Sequence, residues 1–327
     1  MRWGFLVGLA VLAAVSAGVV LRKAAPSAAV PDARPIPAPR RPVAIRPLGL
    51  PTHPRVVLFA PHPDDETLGA GGLLYRLARA GAAVQVVFVT NGDGYPHAVQ
   101  EDLGVKHPTD ADYIAFGELR QREALAALAH LGVGRRSVRF LGFPDDGLAQ
   151  LWRTHWLASH PYTSPYTKEN KPPDADTVGY DGEDLTSVIR RVLVEFRPSV
   201  VVMPHPYDTH LDHAHASYFV TEALSELQAS GALVHDVAVL TYLVHYPSWP
   251  VTPGPAFDRA VPLRDLPDTV WTEAELTPRE LDAKRAALDE YRSQLGVMNG
   301  FLRNFLCRNE LFATVDSDVL NRIASVH

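Results

Sequence analysis

The sequence predicts an α/β fold with a mostly parallel sheet, and three observations support this class. Short apolar runs rich in β-branched residues alternate with longer segments of helical periodicity. The runs are separated by turn-forming residues such as Asn91-Gly92. The chain of 327 residues is 46% hydrophobic, which is enough for a sizeable core and excludes wholesale disorder.

The alternation can be followed in order along the chain. Residues 56–60 are wholly apolar, as is typical of a strand buried on both faces. Four further strands are predicted at 84–90, 137–141, 199–203 and 237–244, and helices at 67–80, 113–131, 184–196, 213–229 and 278–295. This order predicts a Rossmann-like three-layer sandwich. Residues 150–181 and 246–272 do not fit the alternation, and we interpret them as long functional insertions at one end of the sheet.

Residues 1–23 are predicted to be a membrane anchor or signal segment. Trp3 to Leu21 is an uncharged, mainly apolar run of nineteen residues with basic residues on both sides. About twenty residues of helix cross the hydrocarbon core of a bilayer, and a cleaved signal peptide also fits. We therefore expect a protein anchored by one N-terminal helix or exported after cleavage, with its domain on the extracytoplasmic side.

Residues 24–54 are rich in Pro, Ala and Arg and are predicted to form an extended linker. The globular domain is expected at 55–327. The formal net charge is −6, and residues 1–55 hold eight Lys and Arg residues against one acidic residue, so the domain itself is acidic. An acidic domain argues against a nucleic-acid partner. The single cysteine, Cys307, excludes an intramolecular disulfide and a cysteine-based zinc cluster.

The first chemically informative loop, at residues 61–66, follows the first strand and precedes a helix. His62 and Asp65 are three residues apart, so both can point to one side as the helix starts. Imidazole and carboxylate are ordinary zinc ligands, and Asp64 between them can act on a metal-bound water. The acidic residues also suit a helix N-terminus, but that structural role leaves His62 unexplained.

The second loop, at residues 205–215, follows the fourth strand and is expected at the same sheet edge. His210 and His213 are again three residues apart, with Asp212 between them. His205 and His215 have two interpretations, as extra ligands or as hydrogen-bonding groups of the loop and helix start. Two such loops at matching strand ends point to a metal site more specifically than either loop alone.

The two loops resemble those of the zinc-dependent PIG-L/LmbE-like de-N-acetylase family, over about residues 55–312. Weaker supporting motifs are Thr90-Asn91-Gly92, Arg120-x-x-Glu123, Phe140 to Asp145, Lys284 with Ser293-Gln294, and Arg308-Asn309-Glu310. Leu211 departs from the family pattern, in which many members have proline. The resemblance implies a PIG-L-like deacetylase domain at 55–327.

The resemblance also implies roles for the residues of the first loop. His62, Asp65 and His213 correspond to the zinc ligands, and Asp64 corresponds to the general base. Three protein ligands leave an open position, as a catalytic zinc site requires. Another divalent metal remains an alternative, because nitrogen and oxygen ligands accept several.

For the second loop, the resemblance implies that His210 stabilises the oxyanion or protonates the leaving amine. Asp212 would orient or tune that histidine. Arg120 and Asp145 would contact the substrate. The carboxylate that orients a metal-binding histidine is either Asp208 or Asp93 on the sequence alone.

The expected function is a zinc-dependent hydrolase that removes the N-acetyl group from an N-acetylglucosamine-type sugar. The substrate is a small-molecule or lipid-linked N-acetylated sugar, and the N-terminal segment makes a membrane the second expected partner. Two alternatives stay open: a zinc amidase or deacylase acting on another acylated compound, and a non-catalytic envelope protein that binds glycan.

Overall fold

The computed structural model describes residues 45–173, 178–233, 236–247, 249–250, 259–260, 266 and 269–315. Its strands are β1 (Arg46–Pro47), β2 (Arg55–Ala60), β3 (Ala83–Thr90), β4 (Val138–Phe143), β5 (Val200–Pro204), β6 (Ala238–Tyr242), β7 (Thr269–Glu275) and β8 (Asn309–Val315). Its α-helices are α1 (Asp65–Arg79), α2 (Pro96–Leu103), α3 (Asp110–His130), α4 (Leu148–Arg153), α5 (Gly182–Phe196), α6 (Leu211–Ala229), α7 (Pro278–Leu288) and α8 (Arg292–Arg303).

The eight strands described form one mixed sheet in the order β1-β7-β8-β6-β5-β2-β3-β4. The central pairs β6/β5, β5/β2, β2/β3 and β3/β4 are parallel. Only β8, within the described part of the chain, runs antiparallel to its neighbours, β6 and β7. The predicted α/β class and mostly parallel sheet are therefore confirmed.

The sheet is buried on both faces, because alternate residues of its central strands enter different cores. Val56, Leu58 and Ala60 of β2 pack in a cluster with α1, α3 and α7. Val57 and Phe59 pack in the opposite cluster, with α5 and α6. A strand buried on both faces reads as a continuous apolar run, which is why β2, β3 and β5 were predictable from the sequence.

Several observed elements differ from the sequence prediction. The late helix predicted at 278–295 consists of two helices, α7 and α8. Strand β7 extends beyond the region interpreted as an insertion, and β8 was not predicted. A short strand also occurs inside the predicted linker, where Arg46–Pro47 pairs with β7 at the sheet edge. A proline is tolerated there because its missing N–H faces no further strand.

The expected membrane location is corrected by the structure. No helix in the ranges described above is both long enough and apolar enough to cross a bilayer. The predicted anchor or signal segment at residues 1–23, and the linker up to residue 44, lie outside those ranges. The anchored or exported localisation and the membrane partner are accordingly not carried into the function.

The sheet order brings three loops together at one edge. Strands β2, β5 and β6 are adjacent and parallel, so the loops that follow them leave from the same side of the sheet. These loops begin at Pro61, His205 and Leu243. Ligand sites of open α/β sheets lie at this edge, beyond the carboxyl ends of the strands.

Candidate active site

The loop between β2 and α1 has a constrained backbone. Asp64 has a φ of 136°, a conformation that costs a non-glycine residue on the order of 1–3 kcal/mol. Surrounding hydrogen bonds hold it in place: the amides of Thr67 and Leu68 donate to the Asp64 carbonyl at 3.0 and 2.9 Å. The backbone N–H of His62 donates to Asp65 Oδ2 at 2.9 Å. The strain therefore sits where the predicted base adjoins a predicted ligand.

The three predicted metal ligands converge in the structure. His62 Nδ1 lies 3.2 Å from Asp65 Oδ2, and His213 Nε2 lies 3.1 Å from the same oxygen. The ligand atoms of this group all lie within 4.8 Å of one another. Both ring nitrogens of His213 are buried and lack a hydrogen bond of normal geometry. Buried imidazole nitrogens of this kind beside a carboxylate suit a divalent metal, so the residues present fit zinc.

Each of these two histidines has a carboxylate on its other nitrogen. His62 Nε2 lies 3.0 Å from Asp145 Oδ1 and 3.3 Å from Asp212 Oδ2. His213 Nδ1 lies 3.2 Å from Asp208 Oδ2. A carboxylate on the outer nitrogen fixes the tautomer and orientation of a metal-binding histidine. The arrangement leaves Nδ1 of His62 and Nε2 of His213 directed at Asp65.

The structure shows which of Asp208 and Asp93 contacts a metal-binding histidine, a question that the sequence left open. Asp208 faces His213, and its oxygens also accept hydrogen bonds from the amides of His210, Val244 and His245 at 2.9, 3.0 and 3.0 Å. Asp208 is therefore the carboxylate in contact with His213, whereas the charges that act on the pKa of Asp93 are those of Asp145, Arg120 and His62.

Asp212 is placed differently from expectation. Its oxygens accept hydrogen bonds from the amides of Asp146 and Leu148 at 2.6 and 3.0 Å. Its side chain therefore contacts His62 and the loop after β4, and the contact with His210 comes from its backbone N–H, which donates to His210 Nδ1 at 3.2 Å. As the neutral ring of His210 accepts at Nδ1, it carries its proton on Nε2. His62, His210 and Asp212 also form a second group close enough to hold a metal.

Arg120 and Asp145, expected to contact the substrate, both line the cavity, but their charged ends are already engaged. Arg120 donates to the carbonyls of Pro63 and Gly92 at 2.6 and 2.8 Å and to Asp64 Oδ2 at 3.2 Å. Its Nε–H has no hydrogen bond within the described residues. Asp145 accepts from the amide of Gly94 at 2.6 Å in addition to its contact with His62.

The burial of the site shifts its pKa values. Burial raises the pKa of Asp64 to about 8, although Arg120 opposes the shift. Burial also acts to raise the pKa of Asp65, but His213 outweighs it and holds that pKa well below the usual value. Burial and the neighbouring histidines lower the pKa of His210 to about 4. A raised pKa brings the Asp64 carboxyl into the range in which a side chain can exchange a proton near neutral pH.

His245 was missed by the sequence interpretation. Its ring centroid lies 5.1 Å from that of His210 and 4.9 Å from that of His213. It stacks on Phe301 of α8 at 5.2 Å. A signal existed in the sequence, since His245 directly follows the strand predicted at 237–244 and therefore reaches the same sheet edge.

These groups surround a cavity of about 330 Å³. One part of its wall is polar and includes His62, Asp64, Asp145 and His210. Another part is apolar and comes from α8 through Met298, Phe301 and Leu302. A polar cluster beside an apolar wall suits a small substrate that combines a reactive polar group with less polar parts.

A family model described as "GlcNAc-PI de-N-acetylase" matches residues 57–224, a range that contains both histidine loops. The chain belongs to the PIG-L family. This confirms the resemblance on which the sequence interpretation rested.

Named relatives of this PIG-L chain share one designation. A protein of Corynebacterium urealyticum is 31% identical over 269 residues, which cover 75% of this chain and 72% of the relative. A protein of Rhodococcus jostii is 30% identical over 266 residues, which cover 74% of this chain and 82% of the relative. Both are named 1D-myo-inositol 2-acetamido-2-deoxy-alpha-D-glucopyranoside deacetylase.

Two solved structures show the same fold. A conserved protein from Thermus thermophilus aligns with a TM-score of 0.51 at 22% identity, covering 81% of this chain and 94% of its own. A deacetylase of the teicoplanin biosynthesis pathway aligns with a TM-score of 0.52 at 23% identity, covering 81% and 99%. At these identities the likeness concerns the fold of this PIG-L chain alone.

Proposed function

We propose that this PIG-L protein is a zinc-dependent hydrolase that removes the acetyl group from an N-acetylglucosamine-type sugar. The observation that carries the proposal is the convergence of His62, Asp65 and His213 beside Asp64 at a cavity. The two relatives described above are named as deacetylases of an acetamido sugar, which supports the reaction and the substrate class.

His62, Asp65 and His213 hold the metal in this proposal. The second possible group is a weaker candidate, because both oxygens of Asp212 already accept hydrogen bonds from backbone amides. Zinc bound by the first group supplies Lewis acidity, which activates water and polarises the amide carbonyl. Another divalent metal could occupy the same nitrogen and oxygen ligands in vitro.

Asp64 acts as the general base. The attacking water gives its proton to the Asp64 carboxylate as the water oxygen bonds to the acetyl carbon. The C–N bond then breaks, and the proton passes to the leaving nitrogen. The products are acetate and a free amino sugar. Arg120 positions the base, since it holds both the Asp64 carboxylate and the preceding carbonyl of Pro63.

His210 donates a hydrogen bond to the carbonyl oxygen as negative charge develops there. Its lowered pKa keeps the ring neutral near pH 7, and its Nδ1 is occupied by the amide of Asp212. The proton on Nε2 is therefore the one available to the substrate. A fixed donor of this kind is worth about 10²–10³ in kcat in other hydrolases.

The test is to purify the full chain without added metal, measure its metal content, and measure acetate release from N-acetylglucosamine and its methyl glycoside. The matched variant is Asp64→Asn, which keeps the size of the side chain but removes the base. We expect one equivalent of zinc in both proteins, chelator-sensitive acetate release by the wild type, and a loss of at least about 10²-fold in the variant.

Each part of the proposal has a result that would contradict it. Wild-type protein that binds no metal would overturn the ligand assignment. Zinc-loaded wild type that releases no acetate from either compound or from the inositol glycoside for which the relatives are named would overturn the substrate class. Full activity in Asp64→Asn would remove that residue as the base.

A further inference from the structure

A buried glutamate contacts the backbone of the proposed base. Glu66 belongs to the first turn of α1 and is fully buried. Its Oε2 accepts a hydrogen bond from the backbone N–H of Asp64 at 3.2 Å. Its Oε1 accepts one from the hydroxyl of Thr67 at 2.5 Å and another from the hydroxyl of Tyr291. One carboxylate therefore connects the backbone of the base to a tyrosine from a distant part of the chain.

Tyr291 lies at the junction of helices α7 and α8. It is the N-cap residue of α8, stands 225 positions after Glu66, and lies beyond the range that the family model matches. Its side chain is fully buried, in the same core cluster as Leu73 and Leu288. The ring is thus held by packing, and the hydroxyl adds a directed contact with Glu66.

This contact matters because the backbone of Asp64 is strained. Its φ of 136° is a conformation that persists only where the surrounding groups hold it. The carbonyl of Asp64 is held by the amides of Thr67 and Leu68, and its carboxylate is held by Arg120. The Glu66 carboxylate holds the remaining polar group, the N–H. Displacement of Glu66 would free that N–H and let the base turn away from the cavity.

We propose that Tyr291 is a positioning residue for the general base. Its hydroxyl fixes the Glu66 carboxylate, which in turn holds the strained backbone of Asp64. Tyr291 does not itself line the cavity, so it acts through Glu66 and touches no substrate. This inference rests on the proposed deacetylase function and adds to it a residue outside both histidine loops.

The expected effect of losing this contact is on kcat. Tyr291→Phe keeps the buried ring and removes only the hydroxyl, so the cavity wall from α8 stays in place. The base acts in the chemical step, so kcat should fall about tenfold, short of the roughly 10²-fold that a displacement of 1 Å can cost. KM and the zinc Kd should change by less than about twofold, because the hydroxyl contacts neither substrate nor metal.

Tyr242→Phe is the matched control. The hydroxyl of Tyr242 is also buried and donates to a backbone carbonyl, that of Phe59, at 3.0 Å. Its removal costs one buried hydrogen bond, as in Tyr291→Phe, but leaves the contact between Glu66 and Asp64 intact. The free energy of unfolding should therefore fall by similar amounts in both variants, whereas kcat should fall only in Tyr291→Phe.

The experiment measures kcat, KM and zinc Kd for the full chain, with the N-acetylglucosamine compound that the wild type hydrolyses fastest. It adds Glu66→Ala and the double variant Glu66→Ala/Tyr291→Phe. If Tyr291 acts through Glu66, the second substitution lowers kcat by less than about twofold in the Glu66→Ala background.

Hydrogen exchange of a peptide that contains Asp64 gives a readout that needs no substrate. Loss of one hydrogen bond that holds this segment should make its exchange about two- to tenfold faster in Tyr291→Phe. The exchange of the same peptide should stay unchanged in Tyr242→Phe.

The inference is overturned by a wild-type kcat in Tyr291→Phe, by equal losses of kcat in the two tyrosine variants, or by independent losses in the double variant. If Glu66→Ala does not fold, the comparison of the two tyrosine variants still decides. A wild type that releases no acetate from any of the compounds contradicts the proposed function instead. Hydrogen exchange then still tests the positioning, and equal exchange in wild type and Tyr291→Phe overturns it.

Discussion

Asp208 is expected to control metal affinity without touching the metal. It lies 3.2 Å from His213 Nδ1 and accepts three backbone amides, from His210, Val244 and His245. In Asp208→Asn one carboxylate oxygen becomes an NH₂ group. Whichever way the new amide turns, that NH₂ meets at least one backbone N–H, and the negative charge beside the imidazole is lost.

The magnitude follows from these contacts. A buried donor left without an acceptor costs about 1–3 kcal/mol, which applies to the folded protein with or without metal. Loss of the carboxylate that orients a metal-binding histidine lowers metal affinity by about 10–100-fold. We therefore expect the zinc Kd of Asp208→Asn to rise by about that factor, with most of kcat restored at saturating zinc.

The assay is competition for zinc against a chelator of known affinity, followed by acetate release with zinc in excess. Asp93→Asn is the matched control, because Asp93 is also a buried aspartate near the site, but the carboxylate in contact with His213 is Asp208. A change of less than about threefold is expected there, below the range for an orienting carboxylate. An unchanged zinc Kd in a folded Asp208→Asn protein would refute the argument.

Three further predictions concern stability and positioning. Lys284 and Glu310 form a nearly fully buried ion pair at 2.8 Å. Lys284→Met should therefore lower the free energy of unfolding by about 3–5 kcal/mol, and much of that loss should be recovered when Glu310→Gln is added. Chemical denaturation measures both variants, and equal stability of the single and double variants would contradict the prediction. Burial lowers the pKa of His205 from 6.5 to about 4, so the stability that the neutral ring contributes is complete above pH 6.5 and is lost as the pH falls towards about 4. His205→Gln should flatten this pH dependence of the free energy of unfolding, measured by urea titrations from about pH 4 to 8. An unchanged slope would exclude His205 as the cause of the pH dependence. An alanine at Gly92 would place its Cβ 2.0 Å from Arg120 Nη1 at a φ of +64°. Because Arg120 positions the base, Gly92→Ala should lower kcat at least about tenfold while the zinc content stays constant. A wild-type kcat in this variant would show that Arg120 is not needed to position Asp64.

The central sheet was predictable because its signals are local. Strands β2 and β5 consist almost entirely of apolar residues, and the long helices α1 and α6 follow them; β3 is apolar apart from Gln85 and the final Thr90. The sheet edge was not predictable in the same way. Strand β8 lies between β6 and β7 and runs antiparallel to both, a pairing that depends on segments far apart in the chain. The break between α7 and α8 likewise coincides with a tertiary contact, in which the buried Tyr291 hydroxyl donates to Glu66.

The residues of the candidate site were likewise predictable where the signal is local and unpredictable where it depends on distant contacts. His62 and Asp65 lie in one loop, so their spacing alone suggested that they act together, and a second loop with the same spacing supplied His213. The partners of these histidines could not be read from spacing. Asp212 reaches His62 across 150 positions of sequence, and Asp145 reaches it from the end of β4.

These distant contacts change which residues can recognise the substrate. Sequence resemblance implied that Arg120 and Asp145 meet the sugar, but in the structure Arg120 holds Pro63, Gly92 and Asp64, and Asp145 is bound to His62 and Gly94. Residues that hold the ligands and the base in place have little freedom to vary with the substrate. We therefore expect specificity to depend more on elements that contact the cavity lining without holding a ligand or the base. The insertion at residues 150–181 is such an element, because the hydroxyl of its Tyr166 donates to Asp146, which lines the cavity, and the insertion contributes neither a proposed ligand nor the proposed base.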